Sequence, residues 1–96
     1  MKTFRLIVSS PEGNLFDGEA VMLTLRGTAG DLAVMAGHIP FVTTVCPCDC
    51  KIETEEEDDR IAHIEGGLLT VSSEMVTLLT GSFVWRKSEE QKVSRD

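Results

Sequence analysis

From residue 3 onward, apolar and polar side chains alternate with a period of two. Phe4, Leu6 and Val8 fall on one face and Arg5 and Ser9 on the other, with Ile7 out of phase. This is the period of a half-buried strand. "SPEG" follows at residues 10–13, where Pro11 pre-sets the first turn angle and Gly13 closes a type I turn, so a hairpin is predicted. A second strand is predicted over residues 15–26. Within it the apolar positions shift parity, from Phe16 and Ala20 to Val21, Leu23 and Leu25, which predicts a β-bulge near Gly18 to Ala20.

"RGTAGDLAVMAGHIP" then places glycines at 27, 30 and 37 and a proline at 40. That many breakers excludes a helix and predicts a tight loop, a short strand over residues 32–35 and a second turn. Extended structure resumes over residues 41–45. Residues 51–54 and 60–65 flank a run of acids, and residues 68–72 and 75–80 flank a polar pair at Ser72 and Ser73; both read as hairpins. Short strands at this spacing, each ended by a turn signal, predict an all-β fold, a two-sheet β-sandwich. The tail differs: Ser88 followed by Gln91 is a capping-box pattern, which predicts a short, fraying helical turn. The predicted organisation is one sandwich domain over residues 1–86 and the start of a helical tail over 87–96.

Charge narrows the function. Nine Lys and Arg against sixteen Asp and Glu give a net charge of −7 over 96 residues, which repels phosphate backbones and anionic headgroups. Nucleic acid is thereby excluded as a partner. Near the N-terminus Arg5 breaks up the apolar residues, so neither a signal peptide nor direct membrane insertion is predicted. No P-loop, dinucleotide fingerprint or nucleophile elbow occurs; His38 has no Ser, Cys or second His at a catalytic spacing, and His63, alternating with Ala62 and Ile64, is predicted to face out of a strand. No catalytic residue and no cofactor are expected, so the chain is not an enzyme on this reading.

The cysteines allow two readings. Cys46, Cys48 and Cys50 occupy every second position of "VCPCDCK" and would project from one face of a strand, about 7 Å apart at each step. Zinc prefers four ligands at tighter spacings, and this run supplies three at most, with His38 or His63 as the remaining donors. One reading is therefore structural, with sulfur packing as a small apolar group and no metal bound. The alternative is a free-standing β-sandwich binding module with a Cys-based metal or redox site. The acids of "ETEEEDD" lack the Asp, Asn and Gly order of a calcium loop and read as a solvated hairpin tip. Trp85 reads either as core or edge packing or as an interface anchor.

The order of several motifs resembles the N-terminal domain of the ε subunit of F-type ATP synthase. That family opens with F-x-L-x-x-x-[ST]-P-x-G, then F-x-G and a strand. It continues with G-x-x-G-x-x-x-V-x-x-G-H-x-P, an acidic hairpin, a G-G-x-L-x-V step and a V-T-x-L strand. Here stand "FRLIVSSPEG", "LFDGEA", Gly27, Gly30, Val34, Gly37-His38-Ile39-Pro40, Gly66-Gly67-Leu68 with Val71, and Val76-Thr77-Leu78-Leu79, covering residues 3 to about 80.

The resemblance implies a non-catalytic central-stalk (rotor) subunit that links the γ subunit to the c-ring and couples ion translocation to ATP synthesis. It implies c-ring contacts at Thr28, Ala29, Gly30, Asp31 and Leu32. It implies γ-stalk docking at Gly37, His38, Ile39, Pro40, Phe41 and Val42. The expected place is the cytoplasmic face of a bacterial plasma membrane, held peripherally, or an organellar membrane in a eukaryote. Two departures stand out. Cys46 and Cys48 replace a usual Lys and a turn Gly around Pro47, so Cys48 is expected to resist a positive φ there. The family's helical hairpin is represented only by Ser88 to Asp96, at most about 14 Å of helix. The chain is therefore expected to support coupling without inhibiting ATP hydrolysis through an inserted arm and without binding ATP.

Overall fold

The computed structural model describes residues 2–56 and 58–86. Ten strands run through them in sequence order: β1 (Phe4–Ser10), β2 (Gly13–Ala20), β3 (Met22–Gly27), β4 (Gly30–Met35), β5 (Phe41–Val45), β6 (Cys48–Glu53), β7 (Arg60–Ile64), β8 (Gly67–Val71), β9 (Met75–Leu79) and β10 (Phe83–Arg86). The predicted all-β sandwich is what forms. The helical turn expected over 87–96 lies outside the described residues.

One layer carries β10-β7-β6-β3 with β4 on the far side of β3, and the other carries β5-β8-β9-β1-β2. A single register pair, Gly27 with Val45, joins them into one continuous ladder at a corner. Neighbouring strands run antiparallel except β1 and β9, which are parallel. Between the layers lie the fully buried Leu6, Val8, Leu23, Val34, Cys50, Ile52, Ile64, Leu69 and Leu78. Each such aliphatic side chain contributes about 1.5–3 kcal/mol by leaving water. The period-two alternation read from Phe4, Leu6 and Val8 is the inward face of β1.

The stretch read as one strand over residues 15–26 is two strands in different layers. β2 ends at Ala20, and the chain crosses at Val21, whose N–H donates to the Glu53 carbonyl at 2.7 Å. The parity shift therefore records a change of sheet, not a bulge near Gly18 to Ala20. The bulge in this region lies earlier, where the β1–β2 register slips between Val8 and Ser9. Leu15 is the extra residue, and both it and Phe16 consequently pack against the core.

Close approaches pin the β7–β8 crossover to the layer of β8, β9 and β1. Gly66 adopts φ of 110°, and Gly67 lies so near β9 that a side chain there would fall on the Leu79 carbonyl. The buried Thr80 hydroxyl lies 2.6 Å from the Gly66 carbonyl oxygen and 3.0 Å from that of Ser82, and the Thr80 N–H donates to Ser9. Cys48 shows no positive φ, so the family's turn glycine is not needed there; the left-handed residue next to Pro47 is Gly66 instead.

Candidate functional site: two unlike outer faces

The residues implied for ring contact gather at one hairpin tip. Thr28 and Ala29 form the two-residue turn between β3 and β4, and Gly30 follows with φ of 128°. Asp31 is exposed, and its Oδ1 accepts a hydrogen bond from Nε of its cross-strand partner Arg26 at 3.1 Å. Leu32 turns inward and packs against the core beside Gly27. Thr28, Ala29 and Asp31 thus form the outward part of the group. A carboxylate already paired within its own hairpin presents less net charge than the sequence suggests.

The residues implied for stalk docking lie beyond the other end of β4, some 17 Å of strand away. Gly37 supplies the left-handed turn, with φ of 87°. The His38 ring folds back, and its Nε2–H donates to the Ala33 carbonyl at 3.0 Å. Phe41 stands 5.9 Å from that ring and packs against the core. Ile39, 80% exposed, and Val42, 62% exposed, are the large apolar side chains of this group open to solvent, with Pro40 between them. His38 and Phe41 therefore shape the turn, while Ile39 and Val42 leave apolar side chains open to solvent.

Val42 leads to a surface that the motifs did not reveal. The register of β5, β8 and β9 places Val42, Thr70 and Thr77 in one row and Thr44, Leu68 and Leu79 in the next, all on the outer side of their layer. Met75 extends the same parity. Leu68, Met75 and Leu79 are each 39–48% exposed. No ionisable side chain occupies these outward positions on the three strands; the nearest in register is Arg5 of the neighbouring β1, opposite Met75 and held 2.7 Å from Asp17 of β2. An exposed uncharged sheet face of this kind marks a surface for another macromolecule. The available signal was apolar residues at both parities in "GGLLTV" and "EMVTLL", which means a strand buried on both sides.

The outer side of the other layer is laced with its own ion pairs. Arg26 meets Asp31, Lys51 meets Asp59 at 3.4 Å, and Asp49 receives both His63 and Arg86, at 3.0 and 3.2 Å. These groups satisfy one another in solvent and ask for no partner. Trp85 is inward on β10: its ring stands edge-on to Phe83 at 4.8 Å and 5.6 Å from the Arg60 guanidinium, which also lies 5.8 Å from Phe16. Arg60, lying over the Trp85 and Phe16 rings, links the edges of the two layers.

The cysteines divide. Cys50 is fully buried among apolar neighbours, and burial pushes its thiol pKa up to about 12, with the nearby Cys48 adding to the rise. Such a thiol is a core side chain and a poor ligand or nucleophile. Cys48 is half-buried against the core, and Cys46 Sγ donates weakly to the Gly27 carbonyl at 3.6 Å. Among the described residues, no group of three or more His, Cys, Asp or Glu is placed to hold a metal ion. No helix of the described residues is long and apolar enough to cross a membrane.

A β-sandwich with one self-paired face and one uncharged apolar face has the form of a domain that docks against other proteins. Residues 3–86 match the β-sandwich domain of the ATP synthase delta/epsilon chain, and the chain belongs to that family. It is 33% identical over 84 residues to the ATP synthase epsilon chain of Polynucleobacter necessarius subsp. necessarius (strain STIR1), covering 88% of this chain and 61% of that one. A chain in the cryo-EM structure of the Euglena gracilis mitochondrial ATP synthase (OSCP/F1/c-ring, rotational state 1) superposes with a TM-score of 0.82 at 21% identity. That likeness covers 97% of this chain and 60% of that one. One from the Tetrahymena thermophila mitochondrial ATP synthase, central stalk and c-ring, gives 0.74 at 12% identity, over 85% and 66% of the two chains. The chain thus spans about three fifths of the length of the first two of these relatives.

Proposed function

We propose that this chain is a non-catalytic subunit of the central stalk of F1Fo ATP synthase, linking the γ subunit to the c-ring and coupling ion translocation to ATP synthesis. The observation that carries the proposal is the uncharged outer face of β5, β8 and β9. Val42, Leu68, Met75 and Leu79 offer apolar area with no charge among their own three strands and the Arg5–Asp17 pair only at the rim, and interfaces deplete charge at their centres in the same way. That face, with Ile39 and Val42 at its β5 end, takes the γ subunit. The β3–β4 tip, with Thr28, Ala29 and the Arg26–Asp31 pair, takes the polar loops of the ring.

Two contacts at opposite ends of β4 suit a part that carries torque. A sandwich tied at the Gly27–Val45 corner and at Thr80 is stiff between them, so displacement at one end reaches the other. The domain holds to its membrane peripherally, through its partners, on the cytoplasmic face in a bacterium or at an organellar membrane in a eukaryote. Co-expression with the γ subunit of the same organism tests the reading. The expected result is a stable one-to-one complex through gel filtration; separate elution of two folded proteins would contradict it.

A further inference from the structure

Outside both contact regions, His63 stands between two carboxylates. It lies on the outer face of β7, in register with Asp49 of β6 and Val84 of β10. Its Nδ1 is 3.0 Å from Asp49 Oδ1 and its Nε2 is 2.8 Å from Glu65 Oε2. An ionised carboxylate only accepts hydrogen bonds, so both contacts require a proton on each ring nitrogen, that is, the imidazolium. Two further cations lie nearby. Arg86 of β10 donates to the same Asp49 oxygen at 3.2 Å, and Lys51, further along β6, is engaged by Asp59 at 3.4 Å. His63, Asp49, Glu65 and Arg86 then sum to zero.

We propose that His63 is a proton-operated tether for Glu65: the imidazolium pins the Glu65 carboxylate to β7, and loss of one ring proton lets it go. The choice of Glu65 over Asp49 follows from the partners. A neutral imidazole keeps one N–H, and the other nitrogen then turns a lone pair toward a carboxylate under 3.1 Å away, which is repulsive. Asp49 is fixed from its other side by Arg86, whereas Glu65 is the more exposed carboxylate, at 61% against 46%, and meets no second cation among the described residues. The surviving proton therefore stays on Nδ1 toward Asp49, and Glu65 swings into solvent.

The site binds its proton more tightly than a free imidazole does, because hydrogen bonds to Asp49 and Glu65 favour the charged ring; Asp49 is held below the ordinary carboxylate range by the same His63 bond. The consequence falls beside a crossover of the fold. Glu65 immediately precedes Gly66 and Gly67, where the chain crosses between layers, and lies three residues from Leu68 on the apolar face. Release takes that cluster from zero to one net negative charge, so protonation at His63 sets the charge presented beside that crossover.

The test is an NMR titration of the whole chain labelled with 15N and 13C, following both ring nitrogens of His63 and the carboxylate carbon of Glu65. The expected result is a His63 midpoint above the ordinary value of about 6.5. The neutral form should carry its proton on Nδ1, and the Glu65 side chain should shift in step with the ring. Glu65→Gln, which keeps an acceptor but loses the charge, should lower the midpoint while leaving the fold intact, and Asp49→Asn should lower it as well. A midpoint at or below that ordinary value, a neutral form protonated on Nε2, or a midpoint unmoved by Glu65→Gln would overturn the proposal.

Discussion

Arg26 and Asp31 face each other across the β3–β4 hairpin, Nε to Oδ1 at 3.1 Å, on a tip whose turn is only two residues long. Both side chains are mostly exposed, so the pair adds little to stability, about 0–1 kcal/mol. Its significance lies in what it shows a partner. Asp31→Lys should leave the denaturation midpoint almost unchanged while placing two cations on the tip. If that tip meets a ring loop that carries a cation, coupling in a reconstituted complex should fall, and fall less at high salt. Undiminished ion pumping at low salt would show that Asp31 is not an interface charge.

Gly67 and Gly81 make a matched pair. A Cβ on Gly67 would fall on the Leu79 carbonyl, whereas one on Gly81 meets nothing within 4 Å. Gly67→Ala is expected to cost about 1–3 kcal/mol by forcing β8 from β9. Gly81→Ala should stay within about 0.5 kcal/mol. Urea denaturation of both variants decides, and equal midpoints would show that the crossover is looser than its geometry.

Cys50 links the core to alkaline pH. Its pKa is raised to about 12 in the fold but returns to about 8.5 when the chain unfolds. The unfolded chain therefore releases this proton first as pH rises. The contribution is fully present below about pH 8.5 and is lost progressively as pH climbs toward about 12. Cys50→Val should fold, at a cost below about 1.5 kcal/mol, and should flatten the alkaline limb of the stability profile. An identical limb in the variant would locate the titrating group elsewhere.

Much of the fold was legible because a strand with one wet side writes its period into the sequence. Phe4, Leu6 and Val8 do so on β1, and the paired segments around the acids and around Ser72 and Ser73 became β6–β7 and β8–β9. What stayed hidden has physical reasons. A parity shift at Val21 looks the same whether a strand bulges or the chain changes sheet, and only the pairing of β3 with β6 distinguishes them. Leu68 and Leu79 are apolar on the outward parity beside buried Leu69 and Leu78, so the runs read as core throughout. The His63 cluster depends on register between β6 and β7, which no local pattern encodes. The site residues implied by motif resemblance gather at two places, with Leu32 and Phe41 partly buried against the core.

The decisive question is which outer face a partner covers. The most direct measurement is calorimetry of the γ subunit of the same organism against two charge insertions, Leu79→Asp on the β5-β8-β9 face and Val84→Asp on the opposite layer. Both side chains are exposed, at 48% and 59%, so both variants should fold, which circular dichroism verifies. If the uncharged face takes γ, Leu79→Asp weakens binding by ~30-fold or more, about 2 kcal/mol, while Val84→Asp stays within about threefold of the parent. Loss of binding with Val84→Asp and full affinity with Leu79→Asp would contradict that assignment.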